Sequence, residues 1–213
     1  MTTPDLPGGG IVVADAELLR AAAAVRGGGV VAFPTETFYG LAVDPFNCIA
    51  LDRLFQLKNR PRDKPVLVLI DEPDSLGRLV RETPERYRKL IDRFWPGPLT
   101  LVFAGTGKLP SLLTDRLNTV GIRLSSHPAA RRLAAAAGGA ITGTSANPSG
   151  FPAAVSASQV KEMFPAGIDY IIDGGRVPGG SGSTIVGLDG GGVKLIRAGA
   201  IPYEDILAGL AAD

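Results

Sequence analysis

Apolar residues in this chain fall into short runs and short periodic stretches, and their spacing sorts them into strands and helices. Leu18, Leu19, Ala22 and Val25 recur at helical spacing. They predict a helix over 16–26, capped by Asp15 and stopped by the glycines at 27–29. Val30–Phe33 is a continuous apolar run ended by Pro34, as expected of a buried strand entering a loop, and Phe38–Val43 resumes as a strand. Ile49, Leu51, Leu54, Phe55 and Leu57 predict the next helix, closing near Lys58. The run Pro65–Ile70 (PVLVLI) predicts a strand covered on both faces. Helices around 73–81 and 84–94, strands over 99–103 and 120–124, a helix over 128–137 and a strand over 140–143 follow. A helix near 156–164, strands near 169–173, 184–188 and 193–197, and a helix from Pro202 complete the pattern.

Strands and helices alternate without a regular βαβ repeat. Links such as 188–193, with its Gly190-Gly191-Gly192 turn, are too short for a parallel crossover. The predicted architecture is an α/β (α+β) single domain over 1–213: a twisted, mixed parallel and antiparallel sheet flanked by helices on both faces. Residues 1–10 form a loose N-terminal arm in this prediction. The 28 glycines and 17 prolines are scattered through apolar sequence, so they mark turns and close backbone approaches rather than low complexity.

Charge narrows the function. Lys+Arg 22 against Asp+Glu 21 leaves a net charge of +1, which argues against a broad grip on duplex nucleic acid but leaves room for a local phosphate site. One cysteine, Cys48, excludes an internal disulfide and a cysteine-rich metal cluster, and one histidine, His127, excludes the common zinc arrangements. No metal site is predicted. Residues 1–13 carry Pro4, Asp5, Pro7 and glycines where a signal peptide needs an apolar run, and no apolar segment reaches bilayer length. A cytoplasmic protein with no membrane contact is expected.

Four segments place polar residues at strand ends, where open α/β sheets bind ligands. Pro34–Gly40 (PTETFYG) follows a buried strand; taken alone it reads first as a turn whose threonine hydroxyls bond their own backbone, and second as a ligand loop. Lys58–Lys64 (KNRPRDK) holds four cations in seven residues. They suit a phosphate clamp, or a solvated helix end complementing the dipole. Thr142–Gly150 (TGTSANPSG) is a compact polar loop that suits cradling a phosphate or carboxylate, or serves simply as a turn. The glycine-rich stretch 174–182 with Ser183, and Arg197 beyond it, lets backbone approach a ligand. Gly105-Thr106-Gly107-Lys108 is no P-loop, because Leu109 stands where a magnesium-binding hydroxyl is required; 174–182 opens no Rossmann helix. His127, before Pro128, is expected at a helix start and not as a base.

Taken together, these segments resemble the YrdC-type threonylcarbamoyl-AMP synthase family. The residues that carry the resemblance are PTETFYG at 34–40, KNRP at 58–61, WPGPLT at 95–100, TVGIR at 119–123, HP at 127–128, TSANPSG at 144–150, DGG at 173–175, STIV at 183–186 and IRAG at 196–199. They keep the family's order over about residues 15–205, and the K-x-R…S-x-N tetrad is the most specific element.

The resemblance implies that Lys58, Arg60, Ser145 and Asn147 hold the ATP phosphates, with Lys64, Thr119 and Arg197 on the nucleotide side. It also implies that Thr35, Arg123 and Ser183 hold L-threonine, Arg123 pairing with its carboxylate. Implied too are ATP as substrate with accompanying Mg²⁺, bicarbonate as co-substrate, and a threonylcarbamoyl-adenylate passed to a tRNA threonylcarbamoyl transferase complex for t6A37 modification. Such chemistry asks for positive charge around a polyanion and needs no nucleophile or histidine base. Glu36 is the nearest acid or base, and a loop or the N-terminal arm is expected to shield the labile carbamate. WPGP at 95–98 is expected as a structural turn. Two positions depart from the family: Leu69 where longer relatives have His, and Gly182 where Glu often stands. The alternatives are carbamoyl-adenylate formation, as in hydrogenase-maturation proteins, a weakly RNA-binding module, and an inactive paralogue; the intact tetrad argues against the last two.

Overall fold

The first helix forms where the apolar spacing requires it. In the computed structural model, which describes residues 13–190 and 192–211, α1 (Asp15–Arg26) buries Leu18, Ala21, Ala22 and Val25. Asp15 is not its cap. Ala14 holds that position without a side-chain bond, and Asp15 lies in the first turn. There its charge complements the helix dipole, and it pairs with Arg132 of a later helix. The expected arm at 1–10, and Gly191 of the 190–192 turn, lie outside the described residues.

The predicted helices and strands are present with small shifts of boundary. After α1 come β1 (Val31–Pro34), β2 (Tyr39–Ala42), α2 (Cys48–Leu57), β3 (Val68–Ile70), α3 (Glu85–Phe94), β4 (Leu99–Ala104), β5 (Thr119–Leu124) and α4 (Pro128–Ala137). They are followed by β6 (Ala140–Thr142), β7 (Thr144–Ser145), α5 (Ala157–Met163), β8 (Tyr170–Ile171), β9 (Thr184–Asp189), β10 (Gly192–Arg197) and α6 (Tyr203–Ala211). The expected helix at 73–81 is a 3-10 helix, Pro73–Arg78, and only Val68–Ile70 of the PVLVLI run is paired as strand.

The class is the predicted mixed α/β, but the strands divide into two sheets. A four-stranded sheet has the order β7-β2-β1-β8, and a six-stranded one β10-β9-β4-β5-β3-β6. Both mix orientations: β1 is antiparallel to β2 and parallel to β8, while β3 is parallel to β5 and antiparallel to β6. The division falls at Gly143. Residues 140–142 pair with β3, and 144–145 pair with β2 in the other sheet. A Cβ at Gly143 would stand 2.6 Å from Leu69 Cγ and 2.8 Å from Leu67 Cδ1, so only glycine lets the strand step across there. Thr142 ties the step down: its hydroxyl accepts from Val43 N at 2.9 Å and donates to Leu41 O at 3.1 Å.

Alternate residues of the central strands enter different apolar clusters, as strands covered on both faces must. Ala32, Val68 and Ile70 join the cluster built with α2 and α3, while Val31, Phe33 and Leu69 join the one under α1 and α4. Tyr87 of α3 closes the larger cluster edge-on to Phe103, ring centroids 4.8 Å apart, with its hydroxyl bonded to Val102 O at 2.8 Å.

Candidate functional site

One face of the six-stranded sheet is polar where its opposite face is core. Along β5, Val120, Ile122 and Leu124 are buried in the core, and Thr119, Gly121 and Arg123 line a cavity of about 570 Å³. Along β4 the same alternation sends Leu99, Leu101 and Phe103 inward and Thr100 and Val102 to the cavity. Ser183 and Ile185 add to this wall, as does Arg197. A β-bulge sets the position of Arg197: β10 skips Ile196, so that Arg197 stands opposite Ile185. The other wall comes from the four-stranded sheet, through Thr35, residues 37–40, Thr144 and Ser145.

The PTETFYG segment is both things its residues allow. Thr35 Oγ1 donates to Phe38 O at 2.6 Å and accepts from the amides of Thr37 and Phe38, closing a tight turn between β1 and β2. That turn also lines the cavity.

The cationic segment is shaped by the end of α2. Asn59 adopts a left-handed conformation (φ 48°), and Arg60 N donates back to Phe55 O at 2.9 Å, a glycine-like helix ending. This reversal turns Lys58 inward, where it is 1% exposed. Its Nζ donates to the carbonyls of Ser145 and of Asn147, the latter at 2.6 Å. Ser145 Oγ in turn donates to Asn147 Oδ1 at 2.6 Å. Burial, reinforced by Arg60, pushes the Lys58 pKa down to about 7. Arg60 spends Nε on Lys64 O (2.7 Å) and Nη2 on Pro65 O (2.9 Å).

Arg123 is 3% exposed. Its Nη1 donates to Glu36 Oε1 at 2.9 Å, the other Glu36 oxygen accepts from Ser125 Oγ, and Arg123 Nε is buried without a partner. With both oxygens engaged, Glu36 is a counter-ion rather than a free acid or base. Arg197 Nη2 donates to Ser183 O at 2.8 Å and to Ser183 Oγ at 3.2 Å. Desolvation, and then a neighbouring cation, lowers the pKa of both Arg60 and Arg197; the neighbour is Arg197 for Arg60 and Arg123 for Arg197. Among the described residues no ion pair includes Lys58, Arg60 or Arg197, and Asp115 is the one acid lining the cavity. The result is a concave cationic site with hydroxyls at hand.

Of the residues singled out from sequence, Thr35, Arg60, Thr119, Arg123, Ser145, Ser183 and Arg197 line this cavity. Lys58 and Asn147 sit behind Ser145, joined to it as above, and Lys64 is exposed outside the lining. His127 caps α4, its Nδ1 accepting from Ala129 N at 3.2 Å. Burial lowers its pKa against the opposing pull of Glu36. Leu69 lies in the core under α4, not in the lining, whereas Gly182 lines the cavity beside Arg197. Sequence reasoning passed over Thr100, whose Oγ1 is 2.8 Å from Ser183 Oγ. The signal was there, a lone hydroxyl inside the apolar run Leu99–Phe103. Asp115 was passed over too; it accepts from Leu117 N and Thr119 N in the turn before β5. Among the described residues no group of three or more His, Cys, Asp or Glu is placed to hold a metal, and no helix is long and apolar enough to cross a membrane.

Comparison with known proteins gives a consistent result. Residues 23–199 match the Sua5/YciO/YrdC family, described as telomere recombination. The chain is 41% identical over 186 residues to a threonylcarbamoyl-AMP synthase of Pyrococcus abyssi, covering 87% of this chain and 55% of that protein. It is 37% identical to a threonylcarbamoyl-AMP synthase of Stutzerimonas stutzeri, covering 76% and 88% respectively. The crystal structure of P. abyssi Sua5 complexed with L-threonine superposes with a TM-score of 0.86 at 40% identity, over 90% of this chain and 56% of that one. The chain thus spans little more than half the length of the P. abyssi protein.

Proposed function

This chain belongs to the Sua5/YciO/YrdC family, and from that premise we propose that it joins L-threonine, bicarbonate and ATP into threonylcarbamoyl-AMP and pyrophosphate. The observation that carries the proposal is the convergence of Arg60, Arg123 and Arg197 on one hydroxyl-lined cavity with, among the described residues, a single acidic residue at its wall. That is an environment for a polyanion and a carboxylate together.

In this reaction the threonine amine attacks the bicarbonate carbon and water leaves, giving a carbamate. A carbamate oxygen then attacks the α-phosphorus of ATP, and the bond to the β-phosphate oxygen breaks as pyrophosphate departs. Lys58, Arg60, Ser145 and Asn147 hold the phosphates, with Lys64, Thr119 and Arg197 on the nucleotide side. Thr35, Arg123 and Ser183 hold L-threonine. The nucleotide enters as its magnesium complex, the ion carried by phosphate oxygens and water. The protein's contribution is alignment and fixed positive charge where charge develops. The setting is the cytoplasm, and the adenylate passes to a tRNA threonylcarbamoyl transferase complex for t6A37 modification of tRNAs reading codons that begin with A.

The test is pyrophosphate release and product mass with ATP, Mg²⁺ and bicarbonate, with and without L-threonine. Threonine-dependent pyrophosphate with a threonylcarbamoyl-adenylate mass is expected, reduced about 100-fold or more in Lys58→Ala/Arg60→Ala. Folded protein that binds ATP but makes no such product overturns the proposal in favour of a binding module.

A further inference from the structure

Glu36 sits in the turn between β1 and β2, yet the chemistry above needs no acid or base from it. Its surroundings give it a different use. Oε1 accepts from Arg123 Nη1 at 2.9 Å, and Oε2 accepts from Ser125 Oγ. Arg123 and Ser125 are two residues apart at the end of β5, so they point the same way. Together they clamp the carboxylate from one side.

All three groups are sheltered. The Arg123 and Glu36 side chains are 4% and 15% exposed, and Ser125 is 1% exposed. A guanidinium carries five donors in a rigid planar fork. Glu36 occupies one end of this fork, while Nε is buried with no hydrogen-bond partner. A buried donor without a partner is costly to leave so, and Arg123 lines the cavity. The cavity-facing donors that Glu36 leaves free are what an incoming carboxylate would satisfy.

We propose that Glu36, held by Ser125, is a positioning residue: it fixes the fork of Arg123 by one end so that its remaining donors are presented to the carboxylate of the amino-acid substrate. This rests on Arg123 being the partner of the threonine carboxylate, as proposed above. Glu36 also offsets the charge of Arg123, which keeps a nearly inaccessible cation tolerable before substrate arrives. Because it touches neither the phosphates nor the reacting atoms, its loss affects amino-acid binding and leaves nucleotide binding alone.

The test is direct binding of L-threonine and of ATP, each measured calorimetrically on wild type, Glu36→Gln and Ser125→Ala. Folding is checked by circular dichroism and the Trp95 fluorescence. Glu36→Gln keeps the shape and a weaker acceptor; replacing a charge-assisted bond by a neutral one is expected to weaken threonine binding about tenfold. Ser125→Ala keeps the ion pair but frees the carboxylate, for an expected loss of about threefold. ATP affinity stays within about twofold in both, and KM for threonine rises while kcat is retained. If Glu36→Gln folds and binds threonine as wild type does, the inference is overturned while the synthase proposal stands. If Glu36→Gln does not fold, an unchanged threonine affinity in Ser125→Ala overturns it. A wild type that binds no L-threonine overturns the substrate assignment, and this inference with it.

Discussion

Lys58 Nζ and the backbone carbonyl of Asn147 lie 2.6 Å apart, so the end of α2 and the 144–150 loop are joined by a partly buried hydrogen bond. Lys58 and Arg60 come from one segment, Ser145 and Asn147 from another far along the chain, and this bond, with the one from Lys58 Nζ to the Ser145 carbonyl, helps make them one unit.

Its first consequence is a pH dependence. The Lys58 pKa is about 7 in the folded chain, against about 10.4 for an unfolded lysine. Between these values the unfolded chain binds the extra proton, so stability rises with pH there. The cost of burying the ammonium is complete below pH 7 and relieved as pH climbs towards about 10. Urea midpoints of wild type and Lys58→Met, compared across that range, should show wild type gaining on the variant as pH rises. A polyanion at the site restores the charge. ATP binding at pH 8 is therefore expected to take up to about one proton, read from calorimetry in buffers of different ionisation enthalpy.

Asn59 supplies the left-handed residue that ends α2. Asn59→Gly is expected to change stability by only a few tenths of a kcal/mol. Asn59→Val should cost about 1–2 kcal/mol and should also weaken ATP binding, because Lys58 and Arg60 flank the turn. Denaturant midpoints and nucleotide affinity measured on the same samples check both parts.

Gly143 has no room for a side chain, with Leu69 Cγ 2.6 Å from a built Cβ. Gly143→Ala is expected to cost about 1–3 kcal/mol, lowering Tm by about 2–4 °C per kcal/mol for a chain of this size. A thermal melt matching wild type would show that Leu67 and Leu69 yield freely.

Thr100 is fully buried and its hydroxyl meets Ser183 Oγ at 2.8 Å. Thr100→Val keeps the shape and removes that bond. The expected loss is about 1 kcal/mol, or about fivefold in KM for threonine, with nucleotide affinity unchanged. An equal change in both affinities would instead indicate a general loosening of the cavity.

The elements were legible because local patterns specify them. The helix at Pro128–Ala137 has its proline at the start and Gly138 at its left-handed end, and both are visible in the sequence. What pairs with what was not. Gly143 looks like any glycine until Leu67 and Leu69 are known to flank it, so the step between two sheets was invisible. The site was legible as residue types at strand ends, and the cavity gathers Thr35, Arg60, Ser145 and Arg197 from four distant segments. Lys64 is legible as a cation of the clamp segment, but that its carbonyl serves Arg60 is not. Glu36 read as an acid or base because its partners, Arg123 and Ser125, lie 87 and 89 residues away.

The strand that crosses from one sheet to the other at Gly143 bears on how the molecule breathes. Residues 140–142 are hydrogen-bonded into one layer and residues 144–145 into the other, so neither layer can loosen there without disturbing its neighbour. Amides of Ile141, Thr142 and Gly143 should therefore exchange with solvent only in openings close to global unfolding. The loop that receives Lys58 leaves directly from the strand that laces the two layers together.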